Sequence, residues 1–428
     1  MADDIEKLFA NFDHVNPPIG PDGTPYAHYT AMIAAAQDTG HYVGWSNNHG
    51  GFWLVMGYPE CVDVMRSPHL FSNAEPTLPR YATNEPIMIA GQDDPDHKFA
   101  RALVNRPFNP AGVKIYSAIV RENVHLLIDG IIAAGQADLA QIIAKPVPAM
   151  VTALLMGVPA EEGPRFSHWI SCVSEGQDVT DENASADIAE MYRYFEDTIA
   201  RHRANPGEDI LSHVVHANVD GRTFTQGELL GFCVSLMIGG IDNSYRLISA
   251  ILWRLSWDTA LRRRLICEPA LIPSAIEEAL RYYSPAFTVR EVAQDNEFHG
   301  AMMKAGDILL IGNPLANRDP RIFEDPGSFI ADRKPSNHLG LGMGIHRCLG
   351  AHLIALEAKI VVEEFLTRIP ELSFDETIGA QWIGGQVAGI EQVPVTFPAG
   401  TPRTSAQGSQ SRGQSSGVKA WLENARAQ

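Results

Sequence analysis

The residues best suited to do chemistry lie together late in the chain, in Leu341-Gly342-Met343-Gly344-Ile345-His346-Arg347-Cys348-Leu349-Gly350. Cys348 stands just ahead of a long apolar helical pattern. Unpaired N–H groups and the positive end of a helix dipole there favour a thiolate. The glycines let a flat object approach the backbone closely. A planar iron cofactor seated on sulfur needs both properties. A structural cysteine in a tight turn is the competing reading of the same residues.

Three other groupings bear on that choice. Glu278 and Arg281 stand three apart in a helical pattern, close enough to pair. The apolar stripe there is Ile276, Ala279, Leu280 and Tyr283, so on its residues alone the pair reads as a solvated face. His97 and Arg101 are four apart and share one helix face. In Ile238-Gly239-Gly240-Ile241-Asp242-Asn243-Ser244, two adjacent glycines inside a helix cost about 2 kcal/mol relative to alanine. Either the helix opens locally over a guest, or it packs closely on a neighbour.

The elements that must position these groups are mostly helical. Thr225 and Glu228 form a Thr-x-x-Glu capping box, and the helix it starts runs to Trp257, roughly 30 residues or ~45 Å. Further helices are expected near 29–37, 59–66, 258–266, 273–283 and 349–369, and from 97 to 217 with breaks at Pro146, Pro159 and Pro206. Residues 42–45 and 52–55 read as a β-hairpin. Residues 288–312 alternate short strands with turns, 313–347 form a long loop, and short strands finish near Phe397. The irregular stretch 72–92 is long enough to suggest a functional loop.

The whole sequence bounds the possibilities. Its 428 residues are 45% apolar and 20% charged, as in a soluble globular protein. No apolar run reaches the roughly 18–20 residues of a membrane span, and the acidic start lacks the plan of a signal peptide, so a cytoplasmic protein is expected. Five scattered cysteines show no zinc spacing and no disulfide framework. A net charge of −18 argues against nucleic acid as the main partner. The expected architecture is mainly α with a minor β part: one large domain over 1–400 and a polar, disordered tail over 401–428, with a short helix at 420–427.

The pattern Leu341-Gly342-x-Gly344-x-His346-x-Cys348-Leu349-Gly350 resembles the haem-binding signature of the cytochrome P450 family, with Leu341 where the family has Phe. Likeness extends over about 14–398. Its closest form is that of bacterial monoterpenoid hydroxylases of the camphor and 1,8-cineole type, carried by Gly20-Pro21-Asp22-Gly23-Thr24-Pro25, Ala90-Gly91-Gln92-Asp93-Asp94-Pro95, Gly239-Gly240-Ile241-Asp242-Asn243 and Gly385-Gln386-Val387-Ala388-Gly389. The resemblance implies the P450 fold with a long central helix over haem b (iron protoporphyrin IX). Cys348 becomes the axial iron ligand. Gly342 lies against the haem, and His97, Arg101, Arg290 and His346 answer its propionates. Glu278, Arg281 and Arg333 become a network holding the cysteine loop.

On the other face, the family's acid is Asp242, but Asn243 replaces its threonine. Asn243 would order a relaying water, or a substrate oxygen or Ser244 would do that work. The substrate pocket is expected from Leu78, Tyr81, Met88, Ile238, Ala286, Phe287, Val387 and Ala388.

The implied activity is hydroxylation of a small apolar molecule, with O2 and two electrons. No Gly-x-Gly-x-x-Gly follows a strand, so a separate flavodoxin or ferredoxin with its NAD(P)H reductase would supply the electrons. It would dock near Arg347, Arg101 and Lys114 on a monomer. Oxidation or dealkylation of a small aromatic, and a haem-thiolate sensor without turnover, are the rival readings.

Overall fold

The capping box at Thr225 does start the longest element. Thr225 Oγ1 accepts the Glu228 N–H, and the Glu228 carboxylate accepts the Thr225 N–H at 2.7 Å. The helix Gln226–Trp257 then runs unbroken for 32 residues. It is apolar on most sides, so it lies in the interior rather than on one face. Around it pack the helices Pro146–Leu155, Gly163–Ser174, Ile272–Tyr282 and Ala351–Arg368. The structure, a computed structural model, describes residues 2–79, 85, 87–174, 182–334 and 336–403. The 404–428 part of the expected tail, including its 420–427 helix, lies outside the described residues.

Pro146 does not break the chain's helical course. A π-helical turn Ala140–Ala144, with the Lys145 N–H on Ala140 O at 2.9 Å, runs directly into Pro146–Leu155. Proline at the first helical position gives up an N–H that would be unpaired anyway. Pro159 and Pro206 do fall between helices. A short strand Gln136–Asp138 interrupts the helical tract and pairs with Pro394–Thr396; three residues are too few for a period-2 signal to stand out.

The hairpin forms as Val43–Ser46 against Phe52–Val55, with Val43 opposite Val55. Phe52–Val55 pairs parallel with Ile308–Ile311, which pairs antiparallel with Thr288–Val292, and Phe71–Ser72 completes this five-stranded sheet. A second, smaller core lies against the sheet, while the main one surrounds the central helix. Together they make a single, mostly helical domain. Among the described residues no helix is long and apolar enough to cross a membrane.

The cysteine loop is a tight irregular turn feeding a helix. Gly342 and Gly344 have φ of +66° and +72°, values that L side chains resist. A Cβ on Gly344 would also stand 2.8 Å from Met65 O. One 3-10 turn, Gly344–His346, leads to Cys348, whose N–H is tied to Leu341 O at 2.8 Å, and the helix Ala351–Arg368 follows.

Candidate active site

Between the central helix and the cysteine loop lies a cavity of about 320 Å³. Gly239, Gly240 and Asn243 face it from the helix; Gly342, His346 and Cys348 face it from the loop. Burial pushes the Cys348 thiol pKa up, while the Gly350 N–H and the Arg101 and Arg347 guanidiniums act in the opposite direction by favouring the thiolate.

The loop is anchored from below by a buried ion network. The Glu278 carboxylate accepts Arg281 Nε and Nη2 at 2.8 and 2.7 Å, Arg333 Nε at 3.0 Å and the Ile330 N–H at 2.8 Å. The Glu278 and Arg281 side chains are 1% and 0% exposed, so the solvated-face reading of this pair is corrected. Helical periodicity sees the apolar stripe but not the 313–334 segment folded over the other face. Arg281 also donates to the carbonyls of Asn317, Pro326 and Ser328. From Asn317 the bonding runs onward: its Oδ1 accepts the Leu339 N–H at 2.7 Å, and Leu339 O accepts the Gly342 N–H at 2.9 Å. A continuous chain of hydrogen bonds therefore joins Glu278 to the turn that presents Cys348.

The cavity wall also gathers Arg290, Arg101 and His346, none with a carboxylate at ion-pair distance among the described residues, while nearby His97 meets Asp94 Oδ1 at 3.3 Å. Arg290 is buried, bonds only its neighbour's carbonyl (Val289 O, 2.6 Å), and has no carboxylate at ion-pair distance among the described residues. Burial lowers its pKa to about 10, against the pull of Asp93. Arg101 donates to Arg347 O at 2.7 Å and Asn105 Oδ1 at 2.9 Å. His97 Nε2 and His346 Nε2 are buried without partners, and the two rings sit 4.0 Å apart between centroids. Burial first, then the positive field of Arg290, holds the His346 pKa down at about 3. A buried, uncompensated guanidinium is destabilising by several kcal/mol. This set therefore fits a ligand that brings carboxylates beside Cys348, as the two propionates of a haem would. His97 stands behind His346 rather than on the cavity wall.

The opposite face differs from expectation in two ways. The helix does not open at its glycines. A Cβ on Gly239 would meet nothing within 4 Å, whereas one on Gly240 would stand 2.6 Å from Thr152 Oγ1. One glycine leaves room in the cavity, and the other permits close helix packing. Asp242 is not on the cavity wall; it lies in the field of Arg246, which pairs with Glu391. Asn243 and Ser244 do line the wall.

Behind Ser244 sits Glu357, 1% exposed, with neither carboxyl oxygen making a well-formed hydrogen bond. Burial raises its pKa to about 8, and the Ser244 hydroxyl is the group opposing that rise. Sequence reading passed over Glu357. The available signal was its position on the apolar stripe of Leu353, Ile354, Ile360 and Val361, where a carboxylate needs a reason.

Of the expected pocket residues, Met88, Ala286 and Phe287 line the cavity. Four do not. Leu78 turns toward His14, which bonds its carbonyl at 2.8 Å. Ile238 lies off the helix face shared by Phe232, Leu236, Gly239 and Asn243, because each residue advances about 100° around the axis. Val387 forms an isolated bridge with Ala286, and the neighbouring Gln386 reaches the cavity in its place. Ala388 packs into the core with its N–H on Pro285 O. Tyr81 lies outside the described residues. Phe232, Leu236 and Gln386 are wall residues that sequence reading missed, since only the packed helix shows which stripe faces the cavity.

Comparison with known proteins bears on the whole arrangement. The family profile described as Cytochrome P450 matches residues 205–370. The chain is 32% identical to a steroid C26-monooxygenase of Mycobacterium tuberculosis, over 83% of this chain and 97% of that one. It is 32% identical to the mycinamicin IV hydroxylase/epoxidase of Micromonospora griseorubida, over 81% and 89%. The crystal structure of CYP109E1 from Bacillus megaterium in complex with testosterone superposes with a TM-score of 0.78 at 30% identity, covering 88% of this chain and 98% of that one. With relatives at this identity spanning nearly their full lengths, and a fold shared with one of their solved structures, the chain belongs to the cytochrome P450 family and is a monooxygenase with haem b as its cofactor.

Proposed function

We propose that this enzyme hydroxylates a compact apolar guest of monoterpenoid size, such as cineole or a camphor-like molecule, and that Cys348 would ligate the iron of its haem. The observation that carries the placement is Arg290, a buried guanidinium with no carboxylate at ion-pair distance among the described residues, on the cavity that also holds Cys348. Bound there, the haem supplies O2 activation and insertion of one oxygen atom into a C–H bond.

The chain's own residues do the rest. Arg101, Arg290 and His346 would hold the propionates by charge-assisted hydrogen bonds, with His97 backing His346, and Gly342 would allow close approach. Glu278, Arg281 and Arg333 position the cysteine loop without touching the guest. Asn243, donor and acceptor at once, orients a water in the cavity. Ser244 passes a proton from Glu357, which stays protonated at neutral pH with a pKa of about 8. Asp242 serves as the second acid of this segment. Met88, Phe287, Phe232 and Leu236 exclude bulk water and shape the guest.

Bacterial P450s of this kind take electrons from ferredoxin and reductase partners. In this reading a ferredoxin or flavodoxin meets exposed Arg347 and Lys114; Arg101 turns inward and contributes field rather than contact. The protein works as a cytoplasmic monomer.

A steroid-sized guest is the second reading, favoured by the relatives named for steroid oxidation and for a testosterone complex. The spin-state shift of ferric haem, screened with 1,8-cineole, camphor, methoxybenzenes and testosterone, separates the two. The monoterpenoids are expected to give the largest shift; a response to testosterone alone would overturn the size assignment. NADH consumption that depends on the guest and is matched by product separates an enzyme from a sensor. Asn243→Ala is expected to lower product formed per electron severalfold, and unchanged coupling would remove Asn243 from the mechanism.

A further inference from the structure

His14 is fully buried in the loop that follows the helix Ala2–Ala10. Its Nε2 lies 2.8 Å from Leu78 O. A carbonyl can only accept, so the ring proton sits on Nε2 and the lone pair on Nδ1. That Nδ1 is buried and has no hydrogen-bond partner. Asp13 and His49 stand beside His14, and one donor atom from each of the three residues lies within 4.8 Å of the others. Asp13 Oδ1 accepts the N–H groups of Val15 and Asn16 at 2.8 and 3.0 Å, and meets His49 Nε2 at 2.8 Å. The His49 and Asp13 side chains are 23% and 20% exposed, so the group is reached from solvent.

One imidazole nitrogen committed to a backbone carbonyl while the other carries an unused lone pair is the habit of metal-ligating histidines. We propose that Asp13, His14 and His49 form a binding site for a divalent transition metal of the zinc class, separate from the haem cavity. Two imidazoles and one carboxylate suit a borderline cation rather than magnesium or calcium, with water in the fourth position. Metal–ligand bonds of about 2.0–2.2 Å bring neighbouring donors to roughly 3.3–3.6 Å, so the group contracts on binding. His49, on the exposed turn Asn48–Gly50, is the part free to move. It exchanges the proton it shares with Asp13 for the metal and releases it to water.

The site is wired to the haem cavity. His14 O accepts the Gly385 N–H at 3.0 Å, Gln386 Oε1 accepts the Leu78 N–H at 3.1 Å, and Gln386 Nε2 donates to Pro76 O at 2.7 Å. Pro76 and Gln386 both line the cavity. A metal fixing His14 therefore clamps the 76–78 loop and the 384–386 turn together, which stiffens one wall of the substrate space.

The test uses the full-length, haem-loaded protein titrated calorimetrically with zinc chloride, with bound metal counted by elemental analysis after dialysis. One zinc per chain is expected. His49→Ala and Asp13→Asn should weaken it by about tenfold or more, while His168→Ala, in a second histidine-containing group, should leave it intact. Zinc should slow amide exchange at Leu78 and Gly385 in the parent protein but not in His49→Ala. Equal affinity in the parent and both site variants, or equal binding of magnesium, would mean adventitious surface binding and overturn the site. Stoichiometric zinc without slowed exchange would overturn the clamp.

Discussion

On the cysteine side of the cavity the charged groups that shape the loop are paired: Glu278 accepts from two guanidiniums and a backbone N–H, and Arg281 reaches three carbonyls besides. On the central-helix side, Glu357 is as deeply buried yet neither oxygen makes a well-formed hydrogen bond, and Asn243 stands where the family pattern has a hydroxyl. The first arrangement holds one geometry, because any displacement leaves a buried charge unpaired. The second keeps a proton and hydrogen-bonding capacity in reserve, as groups that must serve changing partners require. Rigidity beneath the ligand and unspent polarity above it divide the work of the site.

The contrast can be broken at its strongest point first. Cys348→Ser should abolish the thiolate-type carbonyl spectrum and reduce turnover to background; retention of that spectrum would move the axial ligand elsewhere. Next, Glu278→Ala should destabilise the protein by about 3–5 kcal/mol in urea unfolding, since it leaves Arg281 buried without its carboxylate. A loss below about 1 kcal/mol would mean that the carbonyls alone satisfy both arginines.

Glu357→Gln probes the other face through pH. The folded carboxyl has a pKa of about 8 against 4.5 for an ordinary glutamate, so between those values the folded state keeps a proton that the unfolded state releases. The stability contributed by this group therefore falls as pH rises through that window. Glu357→Gln should remove the slope, gaining on the order of 3 kcal/mol over the parent near neutral pH and nothing at the acid end. Parallel pH profiles for the two proteins would show that Glu357 ionises normally in the fold.

The smallest effects come from the two glycines. Gly240→Ala should destabilise by about 1–3 kcal/mol, because its methyl group meets the stiff, buried Thr152. Gly239→Ala should be neutral or stabilise by up to about 1 kcal/mol through helix propensity, while shrinking the cavity and weakening the spin-state response to a guest. Equal effects at both positions would mean that the two glycines do not divide packing from cavity space.

Legibility in the sequence followed the range of the interaction. The Thr225 capping box, the hairpin, the helix from Ala351 and the glycine turn before Cys348 all rest on residues a few positions apart, and all were readable. Pro146 misled because a proline stops a helix or begins one depending on what precedes it, and a π turn is not written in periodicity. Ile238 misled because its helix was identified but not which of its faces meets the cavity, and Val387 because it lies outside the regular strands, in an isolated bridge to Ala286.

By itself the sequence determined the chemistry on offer: a cysteine presented by glycines, an acid-amide-hydroxyl run on a long helix, and the scattered cations His97, Arg101, Arg290 and His346. Local sterics and helix capping are enough to decide such features. Only the tertiary structure decided which groups were buried and whether they found partners. Glu278 meets Arg333 across 55 positions and His14 meets Leu78 across 64. Glu357 has its pKa raised by burial. Desolvation depends on everything packed around a group, so no window of sequence contains it.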